Sequence, residues 1–305
     1  MRSLPFFLVL LAALLPACDA LPDSGTAGEV VVEAFFVAGE PLADLSLRRS
    51  VALGSRPNAG INDAQARVEL LRADGSVEAT CPYTPQTVAG RYQGTCGAAM
   101  RIVLPLRRYR LVAEVPGTGM VRAETLVPGV FQIVTSSADT VVYQGPERLT
   151  YTVSRSAYPG RNAIFLFTTE SLLNPPTIRD AVPFVRSFLD RDNDGQIDDD
   201  DGDFTLDDLR IGGSPLLNEA NYERNADGTL SIRLPWIAVA FLGPNRIAIN
   251  AVDDNINDFL RSADVQQGGS TSSPGEILNI LDHVDNGTGV FGSYARVSRD
   301  VFIRE

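Results

Sequence analysis

The alternation of apolar and polar residues predicts β structure through most of the chain. The clearest segment is 109–115, where apolar residues alternate with charged ones such as Arg110 and Glu114. Residues 121–125 repeat the alternation after a Pro-Gly-Thr-Gly turn. A period of two with charges on one face is typical of a half-buried antiparallel hairpin.

Neighbouring segments extend this pattern into a sandwich. Residues 29–37 form a β-branched and aromatic run that ends at a Gly-Glu-Pro turn. Residues 66–81 alternate on both sides of Asp74 and Gly75, and Asp-Gly between alternating runs is a strong hairpin signal. We therefore predict a mainly β protein that opens with an immunoglobulin-like β-sandwich over residues 29–135.

A second β-rich domain is predicted over residues 136–305. Its candidate strands are 149–153, 163–167, 230–234 and 247–251. The run at 163–167 is continuously apolar, which is typical of a central strand. Between 168 and 227 the chain makes a long acidic excursion, and connections of that length are usually functional or mobile.

Two short helices and one tryptophan complete the predicted architecture. Helical spacing of apolar residues occurs in 253–265, where Ile256 and Phe259 share a face, and a second short helix is predicted in 274–284. Trp236 lies in an apolar run, which favours a core or interface position over stacking on a sugar ring.

The N-terminus has the pattern of an export signal. Arg2 precedes an apolar run at 6–15, which is too short for a permanent membrane span. The run ends in Leu-Pro-Ala-Cys, which resembles a lipobox and predicts a signal peptide at 1–17, a lipid on Cys18 and a tether over 18–28. Acyl chains on Cys18 would hold the protein to a membrane. The alternative is an ordinary secretory peptide with an incidental cysteine.

The two other cysteines, Cys81 and Cys96, suit a disulfide in an exported protein. A bond between them would close a loop of about 15 residues and contribute roughly 3 kcal/mol in the chain-entropy model. The alternative is a pair of free thiols. No Cys/His grouping in the sequence indicates zinc.

Composition and charge narrow the range of partners. The chain has 305 residues, of which 44% are hydrophobic, enough for about two domains with real cores. Its net charge is −12, with 26 basic side chains that are all arginine. An acidic protein is repelled by nucleic acid, so we expect no nucleic-acid partner.

The acidic excursion contains the spacing of an EF-hand-type calcium loop. Such loops place oxygen ligands at positions 1, 3, 5, 7, 9 and 12, with Gly at position 6. Gly195 and the apolar Ile197 occupy positions 6 and 8. We predict one structural Ca²⁺ ion, and the alternative is a hydrated acidic loop. The predicted ligands are Asp190, Asp192, Asp194, the Gln196 carbonyl, Asp198 through water, and Asp201.

No sequence signature of catalysis is present. The single histidine, His283, would have to serve any Ser-His-Asp triad, but the chain contains no G-x-S-x-G elbow. Walker and dinucleotide-binding motifs are absent as well. We therefore predict no catalytic residues and expect that the protein is not an enzyme.

Several segments in order resemble one family. They are EVVVEAFFVAGEPLADLSLRRS, INDAQARVELLRADG, GRYQG, YRLVAEVPGTGMVRAETLVPG and NGTGVFGSYARVS. Together they are similar to the DUF4249 family of uncharacterised exported lipoproteins from Bacteroidetes-type bacteria. The resemblance implies an envelope location, frequent association with a TonB-dependent outer-membrane receptor, and no catalytic residues. The cysteine pair and the aspartate-rich loop depart from the family pattern.

These observations predict a lipid-anchored protein of the cell outer membrane that acts by binding. The expected partner is a TonB-dependent receptor or the ligand that this receptor takes up. Two alternatives stay open: a calcium-stabilised hydrolase of extracellular polymers, and a structural or adhesive surface module. The leaflet that the protein occupies is not specified by the sequence.

Overall fold

A computed structural model of the chain describes residues 28–51, 60–192, 194–198, 205–266 and 281–305. The predicted signal peptide, Cys18 and most of the tether lie outside these residues. The fold is mainly β, as the alternating pattern predicts, with a 14-stranded mixed sheet and a 3-stranded sheet in the described part of the chain. In that part, no helix is long and apolar enough to cross a membrane.

The first sandwich has the strand order of an immunoglobulin-like fold. Hydrogen bonding runs β1-β2-β5-β4 and then β3-β6-β7, which is the order A-B-E-D and C-F-G. Strand β4 links the two halves, because most of its length pairs with β3 while Tyr83, Thr84 and Pro85 pair with β5. The strands are β1 (Val30–Val37), β2 (Leu45–Arg49), β3 (Gln65–Leu71), β4 (Val77–Pro85), β5 (Arg91–Gly94), β6 (Arg108–Val115) and β7 (Gly119–Leu126).

The predicted hairpin at 109–125 is β6 and β7. Its apolar face is buried in the first core, where Tyr109 packs edge-on against Phe36 with ring centroids 5.6 Å apart. A fully buried aliphatic or aromatic side chain contributes about 1.5–3 kcal/mol, so this face accounts for why the hairpin forms here. Cys81 and Cys96 are joined by a disulfide, as predicted from the two cysteines that remain besides Cys18.

The second sandwich packs a three-stranded sheet, β14-β10-β8, against the other part of the large sheet. Residues 164–167 of the run predicted as a central strand lie in β11, which pairs with β15 on one side and with β12 and β13 on the other. The strands of the second sandwich are β8 (Ile133–Ser136), β9 (Thr140–Val142), β10 (Thr150–Val153), β11 (Ile164–Ser171), β12 (Ile211–Gly213), β13 (Leu217–Asn218), β14 (Leu230–Arg233), β15 (Gly243–Val252) and part of β17 (Thr288–Arg304). Strand β16 (Val284–Asp285) pairs with β7 of the first sandwich.

Strand β17 belongs to both sandwiches. Its first half pairs in parallel with β1, and its second half pairs antiparallel with β15. Val284 and Phe291, which come from the 136–305 segment, are buried in the first core. The C-terminal segment therefore completes the N-terminal sandwich and connects it to the second.

The helices are short and lie outside the sheets. Helix α1 (Pro183–Leu189) is in the excursion, and helix α2 (Asp254–Gln266) confirms the first predicted helix. Of the second predicted helix, residues 274–280 lie outside the described residues, and 281–284 are not helical because they lead into β16. Trp236 packs edge-on against Tyr143 beside the second core, with ring centroids 5.4 Å apart.

Candidate functional site

A polar cleft of about 840 Å³ lies on the outer face of β3, β6 and β7. Its position follows from the alternation of these strands, because every second side chain faces the first core and those between face outward. We call it the arginine cleft. Its floor carries Arg67, Glu69, Arg108, Arg110, Arg122 and Glu124, and its rim carries Asp254, Asn255, Asp282, His283 and Asp285.

Ion pairs fix one part of the floor. The Glu69 carboxylate is 7% exposed and accepts hydrogen bonds from Arg67 at 2.8 Å and from Arg110 at 2.6 Å. Although burial opposes ionisation, hydrogen bonds from the two arginines lower the pKa of Glu69 below its ordinary value. Glu124 lies 3.4 Å from Arg108 and 3.7 Å from Arg110. The cleft is therefore ordered by its own side chains.

The next row of the floor contains two arginines without a carboxylate between them. Val112 pairs across the sheet with Arg67 on one side and with Arg122 on the other. Arg122 is exposed, and among the described residues it forms no ion pair within 4.0 Å. Arg67 uses its Nε atom on Glu69, and Asp285 of β16 pairs with Arg122 on the other side of the row. The row therefore presents the guanidinium of Arg122 and the Nη groups of Arg67 to a ligand.

The rim is supplied by the first turn of α2 and by the segment that leads into β16. The Asp254 carboxylate is held by Arg161 at 2.6 Å and by the Tyr158 hydroxyl at 3.1 Å. The Asn255 amide donates to backbone carbonyls of β7 and β17, at 2.6 and 2.7 Å. Helix α2 is thus tied to the strand that carries part of the floor.

His283 lies on the rim and contacts a carboxylate. Its Nε2 atom is 2.9 Å from Asp258 of α2. Among the hydrogen bonds of the described residues, none joins His283 to a serine hydroxyl. The arrangement lacks the nucleophile contact that a triad requires.

A buried carboxylate lies at the junction of the sandwiches, directly behind the rim. Asp253 is 1% exposed, and it accepts hydrogen bonds from the Thr125 hydroxyl at 2.5 Å and from the N–H groups of Ser293 and Ile256 at 2.9 Å. These partners belong to β7, β17 and α2. Burial raises the pKa of Asp253 to about 6, against the lowering effect of these hydrogen bonds.

The predicted calcium loop follows α1 directly. Carboxylate oxygens of Asp190, Asp192 and Asp194 lie within 4.8 Å of one another. Gly195 has a φ of 84°, a conformation that favours glycine, and its N–H donates to the Asp190 carboxylate at 3.2 Å. Ile197 packs into a small apolar cluster beside the loop, as position 8 requires. Carboxylate oxygens at this spacing suit a hard cation such as Ca²⁺.

The remaining predicted ligands are placed only in part. The backbone N–H of Gln196 donates to Asp194 at 2.7 Å, and the Asp198 carboxylate accepts from the Arg191 N–H at 2.6 Å. Asp201 lies outside the described residues. The structure therefore brings together three of the predicted carboxylates and places two further ligand positions on the same turn.

The sequence patterns did not indicate the arginine cleft. Outward charges on β3, β6 and β7 were visible as the polar half of each alternating run. Which of them become neighbours depends on strand register, and the rim comes from residues more than 100 positions away in the chain. The sequence therefore predicts outward-facing charges on each strand, but it does not predict that these charges form one cleft.

Similarity to solved structures is weak. Trypsin-activated alpha-2-macroglobulin from Escherichia coli is 10% identical, with a TM-score of 0.21, and the match covers 76% of this chain and 15% of that chain. Salmonella alpha-2-macroglobulin reacted with methylamine is 13% identical, with a TM-score of 0.23 and coverage of 94% and 16%. Three N-terminal domains of the bacteriophage RB49 outer capsid protein Hoc are 11% identical, with a TM-score of 0.22 and coverage of 91% and 70%. TM-scores this low do not establish a shared fold.

Comparison at the sequence level identifies a family. No curated protein matches the chain. A family model described as "Domain of unknown function (DUF4249)" matches residues 19–300, which is nearly the whole chain.

Proposed function

Because this chain belongs to the DUF4249 family, a domain of unknown function, we propose its role from its own residues together with the family resemblance. It acts by binding, as a lipid-anchored protein of the bacterial outer membrane. Its partner is a TonB-dependent receptor or the ligand that this receptor takes up. The receptor association comes from the family resemblance described above.

The arginine cleft is the observation that supports a binding role. Its volume of about 840 Å³ lies in the range of small-molecule sites, which is roughly 300–1,000 Å³. Its floor is ordered by the Glu69 ion pairs and its rim by the contacts of Asp254 and Asn255. An ordered polar cleft loses little side-chain entropy when a ligand binds, which favours affinity.

The proposed anchor is the lipid on Cys18. A chain held by acyl groups remains in one membrane, and the short polar segment that follows Cys18 would act as a flexible tether. This arrangement suits a protein that works beside a membrane receptor.

We also propose a structural role for Ca²⁺ in the loop of Asp190, Asp192 and Asp194. The close approach of three carboxylates within 4.8 Å supports it, because a divalent cation would offset their mutual repulsion. The ion would order the excursion that follows α1. Its position is in the second sandwich, away from the arginine cleft, so the proposed role is stability and not ligand binding.

Co-purification tests the binding role. Full-length protein is extracted from its native membranes in mild detergent, and its partners are identified by mass spectrometry. We expect a β-barrel receptor in recovery comparable to that of the protein itself. A Cys18→Ala variant, which lacks the lipid site, is expected to leave the membrane fraction and to recover less receptor. Recovery of no membrane partner with the wild type would contradict the proposal.

A further inference from the structure

We propose that the arginine cleft binds a ligand that carries a carboxylate, as its oxyanion group, between Arg67 and Arg122. The inference rests on the proposed binding function and adds the chemical class of the ligand. It follows from the charges of the floor, the spacing of Arg67 and Arg122 and the polarity of the rim.

The floor has more cations than its own carboxylates can neutralise. Four arginines face two glutamates. Glu69 already accepts hydrogen bonds from two of the arginines, and its lowered pKa keeps it ionised. Two guanidinium charges are therefore in excess on this face, although the protein as a whole has a net charge of −12. The cleft is thus positive at its floor and negative at its rim, where Asp254, Asp282 and Asp285 lie, and the floor is the part that attracts an anionic group.

The geometry of the row around Val112 suits an oxyanion. Arg67 and Arg122 pair with Val112 from opposite sides, so their Cα atoms are separated by two strand spacings, about 10 Å. Val112 is 2% exposed, and no carboxylate lies between the two arginines in this row. Guanidinium groups bind carboxylate and phosphate through paired N–H donors, so two of them can hold one oxyanion from both sides.

The carboxylates of the rim set a second requirement for the ligand. Asp282 and Asp285 line the cleft, and among the described residues neither forms an ion pair within 4.0 Å. Their carboxylates can accept hydrogen bonds from a ligand, and they repel a ligand that is anionic along its whole length. The ligand therefore combines one oxyanion group with hydroxyl or ammonium donors, as acidic sugars and short peptides do.

Isothermal titration calorimetry on the full-length protein tests this inference. The probes are digalacturonate, which has carboxylates and hydroxyls, the dipeptide alanyl-alanine, which has a carboxylate and an ammonium, and neutral cellobiose. We expect one of the two acidic probes to bind at low salt and cellobiose not to bind. Binding should weaken as salt is raised, because the contact is ionic.

Matched variants locate the binding. Arg122→Gln should weaken the binding of the acidic probe by about tenfold, which is the loss expected for one charge-assisted hydrogen-bonded pair. Arg148→Gln, the same change at an exposed arginine of the second sandwich, should have no effect. Arg122 forms no ion pair in the described residues, so its variant is expected to melt like the wild type, and Arg67→Gln provides a second test of the row.

The outcomes separate this inference from the proposed function. Binding of digalacturonate alone assigns an acidic sugar, and binding of the dipeptide alone assigns a peptide. The oxyanion site is overturned if neither acidic probe binds at millimolar concentration. It is also overturned if binding survives both Arg122→Gln and Arg67→Gln. If that happens while a receptor still co-purifies, the ligand class is wrong and the binding role stands.

Discussion

Asp253 is a carboxylate with unusual surroundings. It is almost fully buried, and its partners are hydroxyl and backbone N–H groups of β7, β17 and α2. Donors of this kind stabilise the charged form less than an arginine would, so burial dominates and raises the pKa to about 6. Because its hydrogen bonds connect both sandwiches, we expect its protonation state to affect the stability of the junction.

The sign of the resulting pH dependence follows from the raised pKa. The folded-state pKa of about 6 exceeds the ordinary value of 3.8. Between these two pH values, the folded chain keeps a proton on Asp253 that the unfolded chain has lost. Stability contributed by Asp253 therefore falls as pH rises from about 4 to about 6, by an amount on the order of 3 kcal/mol. An Asp253→Asn variant retains a capping oxygen but does not titrate.

Urea unfolding across this interval measures the effect. The difference in unfolding free energy between wild type and Asp253→Asn should change with pH, with the wild type losing stability relative to the variant as pH rises. Asp63→Asn, a substitution of an exposed carboxylate, should run parallel to the wild type. Parallel curves for wild type and Asp253→Asn would show that Asp253 does not titrate in this range.

The sequence predicts which face of a strand each side chain occupies, but it does not predict which side chains contact one another. The alternation placed Arg110 and Glu124 on the outer face, where they are found. It did not indicate that Arg110 binds Glu69, because that contact depends on the register of β3 against β6. In the same way, nothing near Asp253 in the sequence indicates Thr125 as its partner, 128 positions away.

The predicted calcium loop is the element whose stability we expect to depend on a ligand. For a dissociation constant of extracellular type, Ca²⁺ at ten to a hundred times that value stabilises the folded state by about 1.4–2.7 kcal/mol. We expect millimolar Ca²⁺ to raise the thermal midpoint relative to chelator. Equal midpoints with millimolar Ca²⁺ and with chelator would rule out the site.

A matched pair of substitutions assigns this effect to the loop. Asp194 accepts a hydrogen bond from the N–H two residues ahead at 2.7 Å, and Asp227 does the same in a turn outside the loop at 3.0 Å. Asp194→Asn and Asp227→Asn therefore perturb local turns alike. Only Asp194→Asn is expected to abolish the response to Ca²⁺. A response that both variants retain would place the ion elsewhere.

The sequence predicts the strands and the helix that show their own periodicity. It does not predict strand pairings between residues far apart in the chain. The β6–β7 hairpin, the central strand β11 and helix α2 each follow from the periodicity of a continuous segment. The parallel pairing of β1 with β17 joins residues about 257 positions apart, such as Val31 with Thr288, and leaves no local pattern. The 17-residue length of β17 was likewise hidden, because its two halves serve different partners.

At the scale of the whole molecule, the two sandwiches are connected through β17 and α2. Strand β17 pairs with both, and Asn255 at the start of α2 donates to carbonyls of β7 and β17. The arginine cleft lies at this connection, with its floor on the first sandwich and α2 at its rim. A ligand held there contacts segments that are far apart in the sequence, so binding is expected to couple to the relative stability of the two halves.

Photo-crosslinking in native membranes tests the central claim, that the protein binds through this cleft. A photoreactive phenylalanine replaces Asp285 on the rim in one variant and Glu147, an exposed acidic residue of the second sandwich, in the other. We predict an adduct with a receptor or its ligand from position 285 and none from position 147. No adduct from position 285, or equal adducts from both positions, would contradict binding at the arginine cleft.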